Sequence, residues 1–195
     1  MNTKFDNPNI QVMKIRKAKL AKGGTVEATF IDDDGNEIAF KGKNVAHNDL
    51  RTRLNALVPY FADLTEQKEA EFIDWLNLDS EENSKLLYKL EVRGVTIGGD
   101  DTMPIAVMNG CRTLMTSKVL NLNTPATDLN ADDSGWMHAD DFRDAIDAFF
   151  YEVELYIRDR KWAVKQSEFN FDEDCEDPFV DPTPTEEVEP FTIPA

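Results

Sequence analysis

Cations are scarce in this chain. Twenty-one Lys and Arg stand against 38 Asp and Glu in 195 residues, a net charge of −17. That balance disfavours indiscriminate duplex binding, because phosphate attraction grows with positive potential. Cysteine is nearly absent: Cys111 and Cys175 are too few for a disulfide framework and are expected as reduced thiols. The two histidines, His47 and His138, have no Cys partners at zinc-ligand spacing, which argues against structural zinc. No apolar run approaches the roughly eighteen residues of a membrane span. Met1–Asn9 is polar, without a signal-peptide core, so a cytoplasmic protein with no membrane partner is expected. Also lacking are a Gly-rich phosphate loop ending in Lys-Ser/Thr, a His-Glu-x-x-His pair and a nucleophile elbow. The expectation is a protein that is not an enzyme and needs no cofactor. A calcium-loop pattern, Asn130, Asp132, Ser134, Gly135, His138 and Asp141, has no entering helix and ends in Asp where a bidentate Glu is needed; no metal site is expected.

What is present is sorted along the chain. Residues 168–195 carry ten acids, five prolines, four phenylalanines and no Lys or Arg. Such a composition cannot build a core and predicts a disordered acidic tail with aromatic beads. Residues 1–167 then form one folded domain with a net charge of −7. Within it Met1–Arg53 has ten bases against seven acids, while residues 54–167 have eleven against twenty-one. A cationic first third leads into an acidic middle and a very acidic end.

Periodicity predicts the elements. Ile10–Leu20 and Val26–Phe30 read as strands, separated by a Gly23-Gly24 turn. Asp34-Gly35 marks a hairpin into a third strand through Ile38 and Phe40. Asn48 is expected to cap a helix whose apolar face is Leu50, Leu54, Leu57, Val58 and Phe61, broken at Pro59. A second, acidic helical piece is expected over Glu66–Leu78 and a solvated connection over residues 79–83. Leu86–Ile97 alternates as a strand with a bulge at Gly94. Ile105–Leu122 supplies one bent strand or two, and Thr124–Gly135 is a polar loop. A helix from about Ala139 to Trp162 carries the stripe Phe142, Ile146, Phe149, Phe150, Val153 and Ile157. That stripe reads first as core and second as a homodimer interface.

Three strands, a helix and further strands is the chain order of the oligonucleotide-binding barrel. The expected fold is therefore α+β, mainly β with helices: an OB-like Greek-key barrel with an inserted helical segment and a long C-terminal helix. Its ligand-flanking loops would be Ala21–Thr25 and Gly98–Pro104. The barrel order followed by an acidic tail resembles the single-stranded-DNA-binding proteins of bacteria and their phages. Glu176-Asp177-Pro178-Phe179 and Glu189-Pro190-Phe191 are similar to the acidic tip with which those proteins recruit replication and repair enzymes. That family usually ends on the tip, whereas this chain continues Thr192-Ile193-Pro194-Ala195. The stretch from Gly94-Val95-Thr96-Ile97 through Leu120-Asn121-Leu122-Asn123-Thr124-Pro125 also resembles small phage proteins of recombination modules. For a phage-encoded chain the resemblance places the protein in the host cytoplasm.

A single-strand binder needs a cationic track and aromatic faces for bases. The basic candidates are Lys14, Arg16, Lys17, Lys19, Lys22, Lys41, Lys43, Arg51 and Arg53, extended by Arg93, Arg112 and Lys118. Among nearby aromatics, periodicity puts Phe40, Phe61 and Tyr88 in the core and leaves Tyr60. The resemblance makes Asp177, Phe179, Glu189 and Phe191 the docking residues for replication or recombination proteins. The competing expectation is an acidic phage interaction protein, an inhibitor or DNA mimic that binds a host protein.

Overall fold

Lys14–Leu20 (β1) has two faces, and a register shift between Ile15 and Lys17 sets them: Ile15, Ala18 and Leu20 turn towards the core, Lys17 and Lys19 away from it. It is also hydrogen-bonded on both sides. Val26–Ile31 (β2) pairs with it antiparallel along one edge, and Leu90–Gly99 (β4) along the other. Glu37–Lys41 (β3) adds to β2 through the predicted hairpin, in which the Asp32 carboxylate accepts from the backbone N–H of Asp34 and Asn36. Pro104–Thr113 (β5) pairs with β4, and Val119–Asn123 (β6) with β5; the two-residue strand Thr127–Asp128 (β7) lies beside the start of β5.

These observations come from a computed structural model that describes residues 14–32, 34–100, 102–130 and 135–163. The described residues form one compact unit. The expected tail, with Asp177, Phe179, Glu189 and Phe191, lies outside the described residues, as do Met1–Met13 and Cys175. Cys111 is a buried free thiol. No described helix is long and apolar enough to cross a membrane.

The fold is α+β, with a seven-stranded antiparallel sheet in the order β3-β2-β1-β4-β5-β6. The closed barrel expected from the order of elements is not formed among the described residues. Closure requires the two ends of the sheet to hydrogen-bond, and here β3 and β6 are both edges. Instead the sheet's inner face is covered by helices. Asn48–Asn55 (α1) and Val58–Leu64 (α2) separate at Ala56–Leu57, just before Pro59, which sits in the first turn of α2, where its missing N–H costs nothing. The cap of α1 is His47, whose Nδ1 accepts from Asp49 N, and not Asn48. Ala139–Arg158 (α4) is the predicted long helix; Phe142, Ile146, Phe149 and Val153 are buried, and Phe150 and Ile157 half-buried against them.

The connection between α2 and β4 departs most from expectation. Only Lys68–Phe72 is helical in the acidic piece, as a short 3-10 segment. The expected solvated link instead starts a helix, Glu81–Leu87 (α3). The Ser80 hydroxyl caps Asn83 N, and the buried Asn83 side chain ties the 74–78 loop to it through Asp74 and Asn77. Strand β4 therefore begins at Leu90, and Tyr88, expected inside, is 73% exposed. The Gly94 bulge is present, and a β-carbon there would overlap the Ala18 carbonyl of β1.

Phe61 is the keystone between helices and sheet: it is fully buried, and its ring lies where a β-carbon of Gly110 would be. Phe61→Ala should lower stability by about 3–5 kcal/mol, the usual cost of emptying a buried phenylalanine site. Urea unfolding checks this, and a loss below about 1 kcal/mol would show that the site collapses freely.

Candidate nucleic-acid interface

Residues directly opposite in antiparallel strands share a face, so the register maps the sheet's outer surface. One row runs Lys41, Glu27, Lys19, Gly94, Asn109, Asn123 across β3, β2, β1, β4, β5 and β6. The next runs Ala39, Thr29, Lys17, Thr96, Val107. Lys17, Lys19 and Lys41 thus come from the first and third strands to one shallow depression of about 280 Å³, lined also by Glu27, Thr29 and Ala39.

Glu27 sets the charge of this depression. Lys19 Nζ approaches its carboxylate at 2.7 Å and Lys41 Nζ at 3.6 Å. The hydrogen bond from Lys19 holds the Glu27 carboxyl below the usual carboxylate range, so it is ionised at neutral pH. Three lysines and one carboxylate leave a local charge of about +2, in the formal counting of charges at neutral pH. Lys17 has no ion-pair partner among the described residues.

Other basic candidates collect at the end of the sheet where β1 turns into β2 and β3 runs on to α1. The Gly42 N–H donates to Val26 O and Ala46 N–H to Gly24 O, drawing these segments together. Lys22 is exposed in the β1–β2 turn, Lys43 beyond β3, and Arg51 lies over Gly24. Arg53 is exposed on α1. Lys14 is elsewhere, at the lip of an apolar cleft between β1 and α4, and the Arg16 guanidinium reaches the Gly99 carbonyl at 3.5 Å. Arg93 emerges at the β4 bulge on the outer face, between Glu91 and Asn121. Lys118 is exposed in the β5–β6 turn.

Arg112 does not join the group. Its guanidinium donates to both oxygens of Glu69 and to Gln67 at 2.5, 2.8 and 2.7 Å, pinning the 3-10 segment to β5 from the helical side. Stacking faces are absent from the described outer rows. Phe40 turns inward edge-on to Tyr156, while Tyr60 and Phe61 are buried. Tyr88 is exposed at the start of β4, with the Lys89 ammonium 5.4 Å from its ring. His138, part of the calcium-loop pattern, stacks on Trp75 instead, and no metal-ligand cluster occurs among the described residues. Sequence reasoning missed both the Arg112–Glu69 pair and this stack, because each joins residues far apart in the chain.

Comparison with protein-family models, curated proteins and solved structures finds no match to this chain.

The Arg112 hydrogen bonds hold the Glu69 carboxyl below the usual range. A carboxyl depressed in the folded state stabilises it above the unfolded pKa, near 4.3, and ceases to do so as pH falls through the folded value. Glu69→Gln should cost about 1 kcal/mol at pH 7, and its deficit should narrow below about pH 4.3. Thermal melts of both proteins from pH 7 to pH 3 test this; a pH-independent deficit contradicts it.

Proposed function

We propose that this chain is a non-catalytic single-stranded-DNA-binding protein of phage-type replication or recombination. The observation that carries the reading is the convergence of Lys17, Lys19 and Lys41 on one outward depression across β1–β3. The path β3-β2-β1-β4-β5, with α1 and α2 between β3 and β4, supports it. That is the strand order of an OB barrel without its closing pair among the described residues. Lys22, Lys43 and Arg51 extend the cationic surface from one end of the depression.

Magnitudes define what kind of binder this is. A base stacked on an aromatic ring contributes roughly 1–3 kcal/mol, and the described outer rows offer no ring to stack on. Affinity then rests on phosphate contacts, which makes it moderate, sequence-tolerant and strongly salt-dependent. In this reading the tail's ten acids, held at high local concentration, compete with phosphates for the same lysines. Its Phe179 and Phe191 recruit replication or recombination proteins.

The second reading, an acidic inhibitor or DNA mimic of a host enzyme, is favoured by the −7 carried by residues 1–167. Fluorescence anisotropy with a labelled oligothymidine separates the two. The full chain should bind more tightly to single-stranded than to double-stranded DNA at low salt, and deleting residues 168–195 should tighten binding, with the gain vanishing as salt rises. Lys17→Ala, Lys19→Ala and Lys41→Ala together should weaken binding and reduce the slope of log K against log salt by about 2, at roughly 0.7 for each phosphate no longer neutralised. Unchanged affinity in the triple variant would remove the sheet-face site, and no DNA binding by the parent hands the function to the mimic reading.

A further inference from the structure

The helical side of the protein carries apolar surface that its core does not use. Leu76 is fully exposed, Met137 is 85% exposed and Phe72 is 68% exposed. Isolated exposed apolar residues are ordinary. Here, however, Leu76 and Met137 adjoin a fixed aromatic base in sequence. The Trp75 and His138 rings stack with centroids 3.6 Å apart at 13°, and Trp136 meets His138 edge-on at 5.8 Å. Tyr60 packs from below against both tryptophans, and Trp136 Nε1 donates to Asp63 at 2.8 Å. Half-buried tryptophans locked from beneath, bordered by adaptable Leu and Met side chains, are the components of a binding hot spot.

Charge narrows the occupant. Residues 63–83 hold eight acids and one lysine, and residues 140–147 hold four acids and one arginine. The field reaches the cluster: burial, then the charges of Asp141 and Asp144, push the Tyr60 phenol up to about 12. With Glu69 paired to Arg112, Glu81 to Lys85 and Asp140 to Arg143, carboxylates still far outnumber the cations of these two segments, and that excess disfavours nucleic acid and a second copy of a chain carrying −17. It attracts a cationic segment that also presents apolar anchors.

We propose that the surface formed by Trp75, Leu76, Trp136 and Met137 docks a basic amphipathic segment of a partner protein. The site is independent of the Lys17–Lys19–Lys41 depression and does not rest on DNA binding.

The test titrates the full chain with an eighteen-residue Leu/Lys peptide whose leucines follow helical i, i+3, i+4 spacing. A scrambled peptide of the same composition serves as the control. Tryptophan fluorescence and calorimetry read binding; two of the chain's three tryptophans are in the proposed surface. The patterned peptide should bind at least tenfold more tightly than the scrambled one. Leu76→Ser with Met137→Ser should lose at least tenfold, while the triple lysine variant binds like the parent. Both substituted side chains are exposed, and an unchanged circular dichroism spectrum and melting temperature confirm the fold. Equal affinity for the two peptides, indifference to the double variant, or no binding at low salt would overturn the proposal. Self-association of the parent that the double variant abolishes would also overturn it, assigning the surface to a second copy.

Discussion

The double pairing of β1 is the constraint on which the rest of the structure depends. It is the strand that joins the β2–β3 hairpin to the β4–β5–β6 meander. Its inward residues enter the core, and its outward residues, Lys17 and Lys19, form the centre of the cationic face. A one-residue slip would exchange the two sets, burying lysines and exposing Ile15 and Ala18. Core stability and surface charge are therefore set by the same register. The close approach of Gly94 to Ala18 helps to hold that register, since a side chain there would push β1 and β4 apart.

From this follows a molecule with two chemically different sides. The outer sheet face is polar, with Lys17, Lys19, Lys41 and Arg93 set against Glu27 and Glu91. The helical side is rich in carboxylates, many of them engaged in holding the fold together. Lys161 bridges Asp49 of α1 and Glu152 of α4 at 2.7 and 2.8 Å, and Arg158 covers the buried Glu154 at 2.8 Å. Arg112 belongs with these pairs: its charge closes the fold around Glu69. The negative net charge of the chain and a local cationic depression are compatible because helices and sheet separate the two.

Local signals were the legible ones. The Asp34-Gly35 hairpin, the Gly94 bulge, the break beside Pro59 and the stripe of α4 each depend on neighbours within one or two turns, and each stands where periodicity puts it. The run of cations along β1 was legible too, but which of them face outward was not, because the register shift between Ile15 and Lys17 decides it. What failed depended on distant partners. Chain order allowed a closed barrel, but closure is decided by whether the sheet's ends meet, and no periodicity reports that. Tyr88 fitted a strand alternation, yet Ser80 and Asn83 nucleate α3 and displace it from the sheet. Arg112 looked like any other strand cation until Glu69, forty-three positions earlier in sequence, was placed beside it. The Trp75–His138 stack likewise joins a loop to a helix start that nothing nearby in sequence connects.

If single-stranded DNA occupies the outer face of β1–β3, as proposed, the aromatic helical side is left free. Backbone amide shifts of the full chain, followed by nuclear magnetic resonance while oligothymidine is added at low salt, test it most directly. Perturbations are expected at Lys17, Lys19, Glu27, Thr29, Ala39 and Lys41, with Trp75, Leu76, Trp136 and Met137 unmoved. Perturbations confined to the helical side, or none anywhere, would contradict it.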